Sequence, residues 1–236
     1  MLGHIHKHQA WREDDRLIAY PGSIGRLHYL LATPFRYRSP HRVAGWRTGS
    51  HPGTGLGAGL EFATHLRLHD WPDPRRLDLR ASLASLQSDW LVRVNRMQAA
   101  LTVRLLVDVS ASMGFGSPSK LVVVAEFVRS LGHSAFRVGD AVAMAAFDGA
   151  ERPDLRVAAW RHRAMGEMLA SLLLQARGGA GGSEGLLEAA TLFGGRGGIV
   201  FLVSDFQWPL AGLDDVLDLL APAHVVPLVV WDPAEV

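Results

Sequence analysis

Val103-Arg104-Leu105-Leu106-Val107-Asp108-Val109-Ser110-Ala111-Ser112-Met113-Gly114 is the stretch that decides how this chain reads. An apolar, β-prone run ends on a carboxylate, and two hydroxyls follow at alternate positions before a glycine. The run shows little polar/apolar alternation, which predicts a strand buried on both faces of a parallel sheet. In an open parallel sheet, ligands bind beyond the carboxyl ends of the strands. Asp108, Ser110 and Ser112 would converge there as hard oxygen donors of the kind Mg²⁺ accepts.

The pattern downstream of this stretch is regular. Ser117-Pro118 offers an N-cap and a proline for a first helical position. Leu121, Val124, Val128 and Leu131 follow at helical spacing, with Lys120, Glu126, Arg129 and His133 elsewhere around that helix. Strands are predicted over 141–147 and 155–160, and a helix over about 164–176. The loop Arg177-Gly178-Gly179-Ala180-Gly181-Gly182 breaks the chain, and Ser183 opens a helix to about Phe193. Ile199 to Val203 is the most apolar strand and ends at Ser204-Asp205. A helix over 212–220 and a strand over 225–230 close the series. Strands alternating with helices imply βαβ units and a mostly parallel sheet with right-handed crossovers.

If the strands ending at Val107 and Val203 are neighbours, Asp108, Ser110, Ser112, Ser183 and Asp205 can meet above the sheet. Mg²⁺ takes near-octahedral oxygen ligation at about 2.0–2.1 Å and keeps some waters. Three hydroxyls and two carboxylates, some acting through water, satisfy that and leave the ion able to attract a carboxylate from a partner. Each residue also has an ordinary reading. Asp108 can be a turn acid bonding backbone amides, and Ser110 and Ser112 can be turn formers. Ser183 can be a helix N-cap, and Asp205 can cap the turn before Trp208-Pro209.

The chain has 236 residues, with 48% apolar and 20% charged, the balance of a soluble globular protein. A formal net charge of +1 gives no general attraction to nucleic acid or an anionic membrane. Cysteine is absent, which excludes thiolate zinc sites, thiol catalysis and disulfides, and suits a cytoplasmic setting. No apolar run approaches the roughly 18 residues of a membrane helix, so no membrane span is expected. Residues 1–98 read as an irregular N-terminal extension with short β runs, such as 27–31 and 90–94, that wraps the domain over 99–236. His4, His6 and His8 lie in a polar stretch that reads as a tail. Gly53-Thr54-Gly55-Leu56-Gly57-Ala58-Gly59 lacks the strand, helix and spacing of a dinucleotide loop and reads as an ordinary loop. The charge-dense segment from Arg67 to Arg80 reads as a solvated face, with a salt-bridged clamp as its alternative.

Other chemistries fit the central motif less well. A nucleophile elbow needs Gly-x-Ser-x-Gly, but Ser110 occupies the first glycine position ahead of Ser112. A Walker loop would end in Gly-Lys-Ser/Thr, whereas Gly114 leads on to Ser119-Lys120-Leu121. A phosphotransferring Asp108 stays open, although the second acid of that pattern is replaced by Ser110.

Asp108-Val109-Ser110-Ala111-Ser112 resembles the metal-ion-dependent adhesion site of von Willebrand factor type A domains. In that resemblance Ser183 stands for a threonine on a separate loop, and Asp205 for the aspartate after a second buried strand. A wider set of residues resembles bacterial domain-of-unknown-function family fifty-eight over about 55–236. It comprises Gly59-Leu60-Glu61-Phe62, the run from Arg67 to Arg80, Phe115-Gly116 with Lys120, Gly139-Asp140, Val226-Pro227 and Trp231-Asp232-Pro233. Leu79 stands where that family usually has tryptophan. The resemblance implies a three-layer, von Willebrand factor A-like (Rossmann-like) α/β fold that binds Mg²⁺, with Mn²⁺ or Ca²⁺ as alternatives. It also implies a non-catalytic, cation-dependent protein-binding module. Its partner would be a MoxR-type AAA+ ATPase or that ATPase's client, in chaperone-like maturation or metal loading of other proteins. A partner Glu or Asp would complete the ion's ligands. The competing expectations are a Mg²⁺-dependent hydrolase or phosphotransferase with Asp108 as nucleophile, and a metal-free scaffold.

Overall fold

The structure, a computed structural model, describes residues 11–13, 16–18, 37, 40, 42–43, 47–57, 59–86, 89–179 and 182–232. The expected strand at 27–31, the three N-terminal histidines, Ala180 and Gly181 lie outside the described residues. The chain divides into two compact units, His41–Ala100 and Met1–Pro40 with Leu101–Val236. Strands β1 (Trp11–Glu13) and β2 (Arg16–Ile18) pair antiparallel.

The smaller unit is a three-stranded antiparallel sheet of β3 (Thr48–Gly57), β4 (Glu61–Arg67) and β5 (Leu91–Ala99), with β5 in the middle. The glycine-rich stretch expected to be a loop is, through Gly57, part of β3. The reason is close approach. A Cβ on Gly53 would lie 2.5 Å from the Met97 carbonyl oxygen, and one on Gly57 would lie 2.7 Å from the Met97 side chain. Glycine here lets an irregular, bulged strand press onto β5. The short helix α1 (Leu79–Ala84) is capped by Asp78, whose Oδ1 accepts from the Ala81 N–H at 3.0 Å. The charge-dense segment forms local pairs: His65 with Asp78, Arg67 with Asp89, and Arg75 and Arg76 with Asp73.

The larger unit is built on a five-stranded sheet with the order β10-β9-β6-β7-β8. Its strands are β6 (Thr102–Asp108), β7 (Ala141–Phe147), β8 (Val157–Trp160), β9 (Gly198–Ser204) and β10 (Ala223–Val229). Four of them run parallel, and only the edge strand β8 is antiparallel. The α/β class with a mostly parallel sheet is therefore as the sequence implied. β8 is shorter than the expected 155–160, because Pro153–Leu155 turns as a 3₁₀ helix with Leu155 buried.

Alternation along the strands divides the core. Leu106, Ala143, Ala145, Phe147, Val200 and Leu202 pack with Leu186, Ala189, Ala190, Val216 and Leu220. Those last residues belong to, or directly follow, helices α4 (Leu186–Thr191) and α5 (Leu213–Leu219). On the alternate register, Phe201 of β9 meets Phe127 edge-on at 5.5 Å. Phe127 lies on α2 (Lys120–Val138), which packs against α3 (Met165–Gln175). Helices thus cover both faces, which gives three layers.

Two expected helix starts move. The helix expected to begin at Pro118 begins at Lys120, with Ser119 at the N-cap position but without a side-chain cap bond, and Ser117-Pro118 precede it with a cis peptide bond. The Lys120 N–H bonds back to the Phe115 carbonyl at 3.0 Å, so the Phe115–Ser119 segment is a turn in its own right. The helix expected to open at Ser183 begins at Leu186 after Gly185. Ser183 instead accepts the Leu186 N–H on its carbonyl, one turn earlier.

At the amino edge of the larger sheet, buried Asp140 accepts from the Leu101 N–H at 2.9 Å and from the Tyr37 hydroxyl at 2.6 Å. Burial first, and then the Asp140 charge, push the Tyr37 hydroxyl far above the ordinary tyrosine range, so it stays a donor.

Helices α2 and α3 touch backbone to backbone. A Cβ on Gly132 would lie 2.3 Å from the Gly166 Cα, and one on Gly166 would lie 2.5 Å from the Arg129 carbonyl oxygen. Replacing Gly132 by Val should therefore force the helices apart, at a cost of about 1–3 kcal/mol or more. Thermal unfolding checks this, with an expected fall in Tm of several degrees. In the smaller unit, the Ala81 N–H first, and then His65, hold the Asp78 carboxyl below the ordinary carboxylate range. A depressed carboxylate contributes stability above its unfolded pKa and loses it as pH falls through the folded value. Denaturant unfolding of wild type should weaken below about pH 4, and Asp78→Asn should show a shallower fall over the same window.

Candidate functional site at the carboxyl edge of the parallel sheet

β6 and β9 are hydrogen-bonded neighbours, with Val107 opposite Val203. Asp108 and Asp205 therefore leave the sheet side by side. The turn after β6 is a short 3₁₀ helix, Ala111–Gly114, anchored by the fully buried Met113. It presents Ser110 and Ser112 with their hydroxyl oxygens 3.2 Å apart.

Asp108 has no exposed surface. Its Oδ1 accepts from the Ser110 N–H at 2.8 Å. Its Oδ2 accepts from the Ser204 hydroxyl at 2.6 Å and the Trp208 indole N–H at 3.2 Å. Three donors satisfy a carboxylate that would otherwise be costly to bury. Ser204 Oγ in turn accepts from the Phe206 N–H at 2.9 Å and from Trp208 Nε1 at 3.0 Å. The loop after β9 is thereby folded back over Asp108. Phe206 sits at φ 54°, a left-handed conformation uncommon outside glycine, held by that hydrogen bond and by packing against the Trp208 ring.

Asp205 is also buried. Its Oδ1 accepts from the Gln207 N–H at 3.2 Å, and its Oδ2 meets the Lys120 ammonium at 2.7 Å. Both of these side chains are 1% exposed. Helical spacing sets Lys120 off the apolar positions of its helix. As the first helical residue its side chain instead points past the helix end toward the sheet edge.

The glycine loop reaches the same edge. Gly179 forms a parallel bridge with Ser110, and a Cβ on Gly179 would collide with the Asp148 carboxylate. Gly182, directly before Ser183, lies against the Trp208 side chain. Ser183 is half-buried at the end of this loop. Sequence reasoning had not singled out Lys120, Ser204, Trp208 or Asp148 for the site. Asp148 directly follows β7, one residue beyond the Phe147 that pairs with Asp108, and Arg152 Nη1 donates to its Oδ2 at 2.8 Å. Asp232, after β10, sets its carboxylate where a Cβ on Gly116 would intrude.

These donors can be tested against a divalent ion. Adjacent ligands of an octahedral ion at about 2.0–2.1 Å stand about 3 Å apart, and the two serine hydroxyls meet that spacing. The carboxylate oxygens are engaged by donors from the chain, which suits ligation through water better than direct contact. Among the described residues, no three His, Asp or Glu side chains cluster as a conventional metal site. The donor set is one of hydroxyls backed by carboxylates, and it fits a hard cation.

A three-layer α/β domain with hydroxyl and carboxylate oxygens at the carboxyl edge of its sheet is the class that fold and site define. The chain belongs to the family described as "Protein of unknown function DUF58", which matches residues 73–236. Curated proteins give no match. Among solved structures, the chain is similar to BatB from Bacteroides thetaiotaomicron, at 18% identity over 55% of this chain and 66% of that one, with a TM-score of 0.44. It is similar to an aerotolerance-related membrane protein from Bacteroides fragilis NCTC 9343, at 19% identity over 57% and 69%, with a TM-score of 0.46. A similarity to the SpRpn10 VWA domain covers 57% of this chain and 90% of that one, at 12% identity and a TM-score of 0.28. The chain thus spans about two thirds of the first two proteins. No helix among the described residues is long and apolar enough to cross a membrane.

Removing the Ser204 hydroxyl should leave Asp108 Oδ2 short of its closest donor. Ser204→Ala is expected to lower stability by about 1–3 kcal/mol in urea unfolding. Ser204→Thr, which keeps the hydroxyl, should lose less.

Proposed function

We propose that this chain is a non-catalytic protein-binding module whose carboxyl-edge site holds a divalent cation, Mg²⁺ first among the candidates. The observation that carries this reading is the pair of hydroxyls on Ser110 and Ser112, 3.2 Å apart, backed by the buried carboxylates of Asp108 and Asp205. Ser110, Ser112 and Ser183 would hold the ion directly, and the two aspartates would act through water. The ion supplies a positive centre that a partner's Glu or Asp can complete.

The surroundings favour protein recognition. Phe115, Leu210 and Trp231 are 47%, 57% and 55% exposed, in the segments that follow β6, β9 and β10. Aromatic and aliphatic anchors around a charged centre are the composition of a binding hot spot. The family resemblance suggests a MoxR-type AAA+ ATPase or its client as partner, in chaperone-like maturation or metal loading of other proteins. A cytoplasmic location would go with that role. A nucleophilic Asp108 is the weaker reading, because the carboxylate has no exposed surface and is engaged by three donors.

Calorimetric titration with Mg²⁺ is expected to show one site in the wild type and a loss of at least tenfold in affinity in Ser112→Ala. Binding of a purified MoxR-type ATPase should disappear on chelation and return with Mg²⁺. Phosphate release that is abolished by Asp108→Asn would overturn the non-catalytic reading.

A further inference from the structure

The Lys120–Asp205 contact is an unusual thing to find at a cation site. The ammonium lies 2.7 Å from Asp205 Oδ2, and both side chains are 1% exposed. A buried charge is tolerated only when paired, and removing one partner leaves the other stranded. Lys120 is also fixed from behind. Its own N–H bonds to the Phe115 carbonyl, and its ammonium stands 6.0 Å from the Phe115 ring. The ammonium is therefore held at the edge from Phe115, the residue that directly ends the 3₁₀ turn presenting Ser110 and Ser112.

A divalent ion bound by those serines, with Asp205 as its outer carboxylate, would draw on a charge that Lys120 already neutralises. It would also place a second positive charge near the ammonium, with little intervening water to screen the repulsion.

We propose that Lys120 is a tethered counter-ion, which occupies the Asp205 carboxylate in the metal-free domain and competes with the divalent cation for it. This rests on the cation-site reading above. Lys120 keeps the apo edge charge-compensated and folded, and it holds divalent affinity down. Cation binding is then coupled to displacement or sharing of the ammonium. The edge has two discrete arrangements, and a partner carboxylate arriving with the metal can select one of them.

The test uses the full chain, Mg²⁺ alone as the probe, and Lys120→Met and Lys120→Gln. Met fills the space without charge, while Gln keeps a donor toward Asp205 and protects against a folding failure in the Met variant. Both variants should bind Mg²⁺ about tenfold or more tightly than wild type by calorimetry. Without metal they should melt at lower temperature than wild type, and saturating Mg²⁺ should raise their Tm by more than it raises the wild-type Tm. Adding Ser112→Ala to either variant should abolish the gain, which places it at this site and not at the N-terminal histidines. If wild type binds Mg²⁺ and both variants bind equally or less tightly, the counter-ion role is overturned and the cation site stands. If neither wild type nor variants bind, the cation-site reading fails, and the competition inferred from it fails too.

Discussion

A carboxylate with no exposed surface cannot exist in this fold unless several donors converge on it. Asp108 meets that requirement with the Ser110 N–H, the Ser204 hydroxyl and the Trp208 indole. The three donors come from the turn after β6, the last residue of β9 and the loop beyond it. The constraint therefore ties two adjacent strand ends into one edge, and sets where Ser112 and Asp205 can lie. The left-handed Phe206 and the return of Trp208 over the sheet follow from the same requirement.

The supporting frame is a set of ordinary packing solutions. Apolar strands fill both faces of the sheet, and α2 meets α3 through paired glycines. Asp140 closes the amino edge by receiving Leu101 and Tyr37. At the carboxyl edge, the segments after β6, β9 and β10 carry the exposed Phe115, Leu210 and Trp231, and Trp208 there joins the core.

Much of this was legible in the sequence because burial leaves a plain record in it. The strands at 101–107, 141–147 and 199–203 are apolar runs, and their alternation with helices implies a parallel sheet. Asp-x-Ser-x-Ser after such a run marks the turn. Other features depend on contacts between distant residues, which periodicity does not encode. The glycines of β3 read as a loop because only Met97 of β5, its carbonyl against Gly53 and its side chain against Gly57, explains them. Ser183 looked like a helix cap, but the loop makes an extra turn before Gly185. Helical spacing sets Lys120 off the apolar positions of its helix and says nothing of its burial, because the first side chain of a helix reaches past its end to a partner, Asp205, distant in sequence. Ser204 and Trp208 carry no local signal, since their roles exist only once β9 lies beside β6.

The proposed function requires a hard cation held at the Ser110–Ser112 hydroxyl pair. The most direct measurement is anomalous diffraction from crystals grown with Mn²⁺ in place of Mg²⁺. A single strong peak is expected at about 2.2 Å from both serine hydroxyl oxygens, with Asp205 facing it across no more than one water. Well-ordered crystals with no peak there, and the Lys120 ammonium still seated on Asp205 at saturating Mn²⁺, would contradict it.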